Sequence, residues 1–261
     1  MRSLAIGATG MLAQQLNVEV ISNNIANLNT SAYKRRRVEF QDLLYQNQRR
    51  VGSQSSDTGT VVPVGVQIGL GVKSAAVYRI GEQGNLNLTE NPLDLAINGD
   101  GWFQIQLPNG QNAYTRAGSL QLSNAGLIVT ADGYPIIPNL TIPNNAIDIS
   151  VNSSGQVSAT IDGQVAPQVI GQIQIARFAN EAGLIATGDN LHEQTQASGA
   201  PIVANPASPG FGSIQQGFLE TSNVNVVEEI TQLISAQRAY EMNSKVIETS
   251  DQMLSTANNI R

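Results

Sequence analysis

Apolar residues recur every seven positions at both ends of the chain and alternate with polar ones through its middle. At the N-terminus Leu4, Met11, Val18 and Ile25 form one seven-residue line, and Ile21 and Leu28 form a second at the +3 offset. Gly7 and Gln14 hold the earlier places on that second line, so the seam is imperfect. The C-terminal pattern is stronger. Val226, Leu233, Tyr240, Ile247 and Leu254 recur every seven, flanked by a line of Ala239, Val246, Met253 and Ile260. Sustained spacing of seven predicts helices with coiled-coil-type seams, over about 4–28 and 225–260. Asn225 can cap the second helix, with Glu228 three residues on as a capping box requires. Glu228 and Glu229 also suit the positive end of its dipole. At ~1.5 Å per residue the two helices would run roughly 37 and 50 Å.

The middle predicts strands. Phe103, Ile105 and Leu107 alternate before a turn at Pro108-Asn109-Gly110, and Leu120 and Leu122 precede one at Asn124-Ala125-Gly126. Ile147, Ile149 and Val151 lead to a turn near Ser154-Gly155, and Val157 and Ile161 lead to Asp162-Gly163. Ile173 and Ile175 add another. Short alternating segments with Gly-containing turns indicate an antiparallel β domain. Residues 46–71, rich in Gly, Ser, Thr and Gln, lack a helical period and read as an extended arm or loop ordered by a partner. A second loop, 196–213, leads back toward the C-terminal helix.

The expected fold is therefore α+β, mostly β at its centre: N- and C-terminal coiled-coil-type helices flanking an antiparallel β domain, with an extended arm after the first helix. The divisions are 1–30 with 225–261 for the helices, 31–72 with 210–224 for the arm and connectors, and 73–209 for the β domain. Two helices alone have a thin core, so their seams are best satisfied by other copies of the chain, as a filament or ring.

Composition narrows the chemistry. A net charge of −6, from 14 Lys and Arg against 20 Asp and Glu, argues against nucleic-acid binding and makes the run Lys34-Arg35-Arg36-Arg37 a local feature. The absence of Cys excludes disulfides and thiolate metal sites, and a single His leaves little for zinc. No cofactor or metal is expected. No apolar run reaches 18 residues, so no membrane insertion is expected. The opening "MRSLAIGATGMLAQQ" lacks a proper signal h-region, which reads as cytoplasmic residence or export by a route that needs no cleaved signal.

Asn23, Asn24, Asn27 and Asn29 crowd the end of the first helix. Asn favours helix ends and turns, and its amides can also bond a neighbouring subunit and fix register. The basic run 34–37 is either a solvated face or a partner for acids on a neighbour, with Glu228, Glu229 and Glu241 as candidates. "GDGWFQ", 99–104, lacks the Lys and the helix of a phosphate loop and reads as a turn into a strand. Asp94, Asp100, Asp132, Asp148 and Asp162 mostly stand at turns, where Asp bonds locally. They are the sole support for a remote alternative, an extracellular glycan-acting enzyme. His192 has no triad arrangement around it, and Asn139 and Asn152 are chance-level sequons.

"NNIANLNTSAYKRRRVEFQDLLYQ", "AYTRAGSLQLSNAGLIVTADGYPIIP" and "GFLETSNVNVVEEITQLISAQRAYEMNSKVIETSDQML" stand at three separated places. Together they resemble the rod and hook family of bacterial flagellar axial proteins. Ser31-Ala32-Tyr33 departs from the family's usual Asn-Gly-aromatic. The arm at 46–64 and its "LLYQ" entrance resemble the distal rod branch rather than hook or proximal rod. The resemblance implies a structural subunit, not an enzyme. Its copies would build a straight, rigid helical tube that transmits torque and carries an export channel. Implied partners are proximal rod proteins, hook protein, P-ring and L-ring proteins, the type III export apparatus and a rod cap. The implied location is the basal body from periplasm to outer membrane. The inter-subunit helix seam would be Leu4, Met11, Val18, Ile21, Ile25, Leu28, Val226, Leu233, Tyr240, Ile247 and Leu254. Asn23, Asn24, Asn27 and Lys34 to Arg37 would make polar contacts at the junction below the helix. Gln46, Gln54, Ser55, Ser56 and Pro63 would belong to a stiffening arm.

Overall fold

A computed structural model describes residues 2–52, 64–163 and 166–259. The arm positions Gln54, Ser55, Ser56 and Pro63 lie outside the described residues, as does Ile260. The chain forms two compact units, 1–26 with 36–79 and 225–261, and 27–35 with 80–224.

The first unit holds α1 (Arg2–Ala26) and α2 (Val226–Asn259). The two helices pair within the chain and run antiparallel: Gly7 approaches Ile247 while Asn24 bonds Glu229. The buried positions of α2 are Glu229, Ala236 and Ser250, each three residues after a large seam residue. Seam lines of large apolar residues therefore describe half of the packing surface. The other half is small or polar, which lets the helices approach closely. Gly7 belongs to it, since a β-carbon there would stand 3.0 Å from Ile247 Cγ1. What reads as an imperfection in the N-terminal line is a point of close contact between the helices. The Asn225 side chain accepts from the N–H groups of Val227 (3.1 Å) and Glu228 (3.5 Å), satisfying donors that a helix start leaves open. α1 stops at Ala26, so Leu28 falls beyond the helix, in a turn, rather than on its seam.

The arm has its own ladder. β1 (Arg36–Asp42) pairs with β4 (Val72–Arg79), and β2 (Tyr45–Arg49) with β3 (Val66–Gly69), both antiparallel. Leu43 N–H to Gly71 O and Leu70 N–H to Leu44 O carry the pairing across the gap. The result is one two-stranded ribbon, about 45 Å long at ~3.3 Å per residue. Backbone pairing needs no apolar face, so a Gln-rich composition conceals it. α1 packs on the β1/β4 end, where Val38 is buried. Every residue of β2 is exposed.

The second unit is antiparallel β. It contains β5 (Leu86–Leu88), β6 (Leu95–Asn98), β7 (Trp102–Gln106), β8 (Asn112–Thr115), β9 (Gln121–Leu122) and β10 (Ile128–Val129). β11 (Ala146–Val151), β12 (Gln156–Ile161), β13 (Gln168–Gln172) and β14 (Ile175–Arg177) follow. β15 (Ile185–Gly188), β16 (Leu191–Glu193), β17 (Ile202–Ala204), β18 (Ser213–Gln216) and β19 (Phe218–Glu220) complete it. A six-stranded sheet runs β15-β16-β8-β7-β14-β17, and β11-β12-β13 form a second sheet. β6 pairs with β18, and β5 with β19. Phe103, Ile97, Ile136, Val157, Ile173 and Ile175 share the main core. Across the six-stranded sheet, Trp102, Tyr114, Ala176, Phe178 and Leu184 make a second cluster. β7 is thus covered on both faces, and its alternation of Phe103 and Ile105 reports only one of them. The predicted turns at Gly110, Gly126 and Gly155 are present, each closed by a backbone hydrogen bond.

Candidate functional site

The Asn-rich and basic stretch falls into two separate buried arrangements, one in each unit. In the helical unit Asn24, only 1% exposed, sits in the last turn of α1. Its Oδ1 accepts from Arg36 N–H at 2.8 Å, and its Nδ2 donates to Arg36 O at 2.9 Å. Nδ2 also donates to Glu229 Oε2 at 3.1 Å. One amide therefore ties the end of α1 to the start of β1 and the first turn of α2. Only a side chain with both a carbonyl and an NH2 can do this, since an ionised Asp accepts alone and would face Glu229. The buried Glu229 carboxylate lies in the first turn of α2, where the helix dipole favours negative charge.

In the β unit the centre is Glu220, at the end of β19, with its side chain 1% exposed. Oε1 accepts from Lys34 Nζ at 2.5 Å and from Gly84 N–H at 2.9 Å. Oε2 accepts from Arg116 Nε at 2.9 Å. Two cations thus share one carboxylate. Backbone carbonyls solvate the surplus charge: Lys34 donates to Glu82 O at 2.8 Å, and Arg116 to Gly99 O at 2.7 Å and Ile97 O at 3.3 Å. Burial by itself pushes the Glu220 carboxyl up, but Arg116, Lys34 and the Gly84 N–H outweigh it and hold it below its ordinary 4.5. Burial lowers Lys34 from 10.5, against the opposing pull of Glu220. Gly84 is required at its place, because a β-carbon there would collide with Thr221 O.

Asn223 binds the same segments together. Its N–H donates to Tyr33 O at 3.3 Å and its Oδ1 accepts from Arg35 N–H at 2.7 Å. Its Nδ2 donates to Ile80 O (3.1 Å) and Glu82 O (3.0 Å). Ala32 N–H donates to Glu220 O at 2.8 Å. The chain passes between the two units at 26/27, 35/36, 79/80 and 224/225. Within the β unit, Glu220 and Asn223 therefore fasten the three segments 27–35, 80–84 and 220–224 to one another. Within the helical unit, Asn24 fastens three of that unit's chain ends.

The basic run is accordingly divided. Lys34 is a buried partner of Glu220 in its own chain, and the Arg35 guanidinium reaches Glu82 at 3.4 Å. Arg36 and Arg37 are exposed on β1. Glu229, offered as a neighbour's partner for the cations, instead takes Asn24 of its own chain. Asn27 lies in the turn after α1, where Thr30 bonds its carbonyl and side chain, and Asn23 is on the exposed side of α1. Of the seam residues, Ile21 is buried; Leu4, Met11, Val18, Ile25, Val226, Leu233 and Ile247 are half-buried; Tyr240 and Leu254 are exposed. Gln46 lies on β2.

Glu220, Asn223, Arg116 and Gly84 have no local signature that would have singled them out. The groups that meet the Glu220 carboxylate lie 104 to 186 residues from it, and those bonded by the Asn223 side chain 141 to 188. The turn acids are dispersed. Asp94 accepts from Thr89 and Asn91, while Asp100 stands 3.5 Å from Arg177. No group of three or more potential metal ligands occurs among the described residues. No helix among them is long and apolar enough to cross a membrane.

Paired terminal helices, a ribbon emerging after the first, and a β unit with an internally fastened base define a structural axial subunit. Three family profiles match the chain: flagella basal body rod protein over 4–34, the flagellar hook protein FlgE/F/G D1 domain over 96–159, and the flagellar basal body rod FlgEFG protein C-terminal region over 215–260. A flagellar basal-body rod protein FlgG of Caulobacter vibrioides is 59% identical, covering 100% of both chains. Those of Agrobacterium fabrum (55%, covering 98% of this chain and 97% of the relative) and Buchnera aphidicola subsp. Schizaphis graminum (52%, 97% and 96%) are similar. The chain belongs to the flagellar basal-body rod protein FlgG family. It is a structural rod protein of the basal body and not an enzyme.

Proposed function

We propose that this chain is the subunit of the distal rod, polymerising through its terminal helices into a straight, rigid tube that transmits torque and carries an export channel. The observation that carries the reading is the surface of α2. Although it is paired with α1, it still exposes Val227 (75%), Ile230 (44%), Ile234 (46%) and Met242 (65%). Apolar positions at this density along a helix mark a contact surface that a lone chain leaves open. Copies of the same chain complete it, and the two internal fastenings let each subunit enter the assembly with its chain ends already tied. On this reading the neighbours along the axis are proximal rod and hook proteins. The surrounding neighbours are the P-ring and L-ring proteins, and delivery is by the type III export apparatus under a rod cap.

The test is deletion of 226–261 from the purified chain, followed by electron microscopy under conditions in which the intact chain polymerises. Loss of tubes with retention of β-unit structure by circular dichroism is expected. Long tubes from the truncated chain would overturn the reading.

A further inference from the structure

Within the β unit, the turn between β7 and β8 and the loop after β16 flank an open groove of about 730 Å³. That lies within the ~300–1,000 Å³ of ligand-sized clefts. Gln111 and Asn112 line it from the β7–β8 side, and Glu193, Gln194 and Gln196 from the other. Tyr114 closes the floor, its ring fixed edge-on against Phe178 at 4.7 Å. Ala200 and Pro201 add a small apolar wall.

Both sides are built before anything binds. Thr195 Oγ1 donates to Gly183 O at 2.6 Å and accepts from the N–H groups of Ala197 (3.1 Å) and Ser198 (3.2 Å). The Ser198 hydroxyl, in a residue 1% exposed, accepts from Thr195 N–H at 3.0 Å. Opposite, Gly110 N–H closes the turn on Leu107 O at 2.9 Å. Asn109 Nδ2 donates to Gln111 Oε1 at 3.0 Å, which leaves the Gln111 amide group to donate.

The lining selects a ligand class. The side chains of Asn112, Gln194 and Gln196 make no hydrogen bond among the described residues, and each can both donate and accept. No Lys or Arg lines the groove, so nothing there favours a phosphate or a nucleic acid. β8 and β16 are each paired on both sides in the six-stranded sheet, so no open strand edge is offered to an extended peptide. Converging amides with one carboxylate and a small apolar wall suit a neutral ligand that is polar on its rim and apolar on its faces. Sugar rings have that character, and an acetamido group adds a donor and an acceptor that pair reciprocally with Asn and Gln.

We propose that this groove is a binding site for a neutral, N-acetylated oligosaccharide. Asn112 and Gln194 hold its acetamido and hydroxyl groups, and its acetamido methyl lies against Ala200 and Pro201. Glu193 accepts from a hydroxyl. It is the single carboxylate in the lining, whereas glycoside hydrolysis uses a pair, so the groove binds and does not cleave.

The groove lies wholly inside the β unit, so the test needs no assembly. The full chain is titrated calorimetrically with a trimer of N-acetylglucosamine, and with a trimer of glucose that lacks the acetamido groups. Saturable binding of the first in the low-millimolar range, and weaker binding of the second, are expected. Asn112→Ala with Gln194→Ala alters two exposed side chains and is expected to weaken binding about tenfold with an unchanged circular dichroism spectrum. Ala200→Trp fills the groove from its other wall and is expected to abolish binding. No saturable binding of the acetylated trimer, equal binding of the glucose trimer, or binding that survives both variants would overturn the proposal. Displacement of the trimer by a tighter-binding neutral peptide would overturn it too, by making the groove a peptide site.

Discussion

At the scale of residues, the fold depends on side chains that each meet several chain segments. Removing the Glu220 charge as Glu220→Gln leaves Lys34 and Arg116 buried without a counter-ion, which is expected to cost about 3–5 kcal/mol at neutral pH. The pH dependence distinguishes this from a packing defect. The carboxyl is held below its ordinary 4.5 in the folded chain, so its stabilisation is fully present above that value. It is lost as pH falls through the folded value. Urea titrations between about pH 5 and pH 3 should therefore show wild-type stability falling more steeply than that of Glu220→Gln. Parallel slopes would contradict the account. Asn223→Ala removes three side-chain hydrogen bonds and no charge, so its loss, about 2 kcal/mol or more, should be similar at every pH in that range.

At the scale of elements, the two helices are matched by size as well as by hydrophobicity. Large residues at Val226, Leu233 and Ile247 are followed three positions on by Glu229, Ala236 and Ser250, and Gly7 accepts the side chain of Ile247. Gly7→Leu should wedge the pair apart. The intrinsic gain from replacing a helical Gly, about 1 kcal/mol, is expected to be outweighed by an overpacking cost of about 1–3 kcal/mol. Reduced helical content by circular dichroism, with unchanged β-unit stability, would be the result. A variant as helical and as stable as wild type would show that the close approach is not required. The same logic explains why an apolar seam predicts where the helices face but not how near they come.

At the scale of the whole molecule, the ribbon is the part least able to stand alone and the part most different in charge. Deleting its outer half, 45–69, leaves both compact units with their own packing and is expected to yield tubes that bend more. The shape fluctuations of tubes in electron micrographs measure this. Unchanged stiffness would mean that the ribbon does not bridge subunits.

Periodicity in the sequence determined the two helices, the antiparallel β centre, the turns at Gly110, Gly126 and Gly155, and the Asn225 cap. Each of these is a local consequence of spacing or of a side chain bonding its own backbone. The chain's likeness at three places to a flagellar axial family was legible there as well. The tertiary structure alone decided the rest. It turned the Gln-rich arm into a ribbon, because backbone ladders leave no mark in side-chain composition. It placed Lys34 beside Glu220, 186 residues away, and Asn24 beside Glu229, 205 residues away. A basic run and an Asn cluster say only that polar groups are present. Which of them are buried, and therefore must be partnered, depends on segments that meet only when the chain has folded.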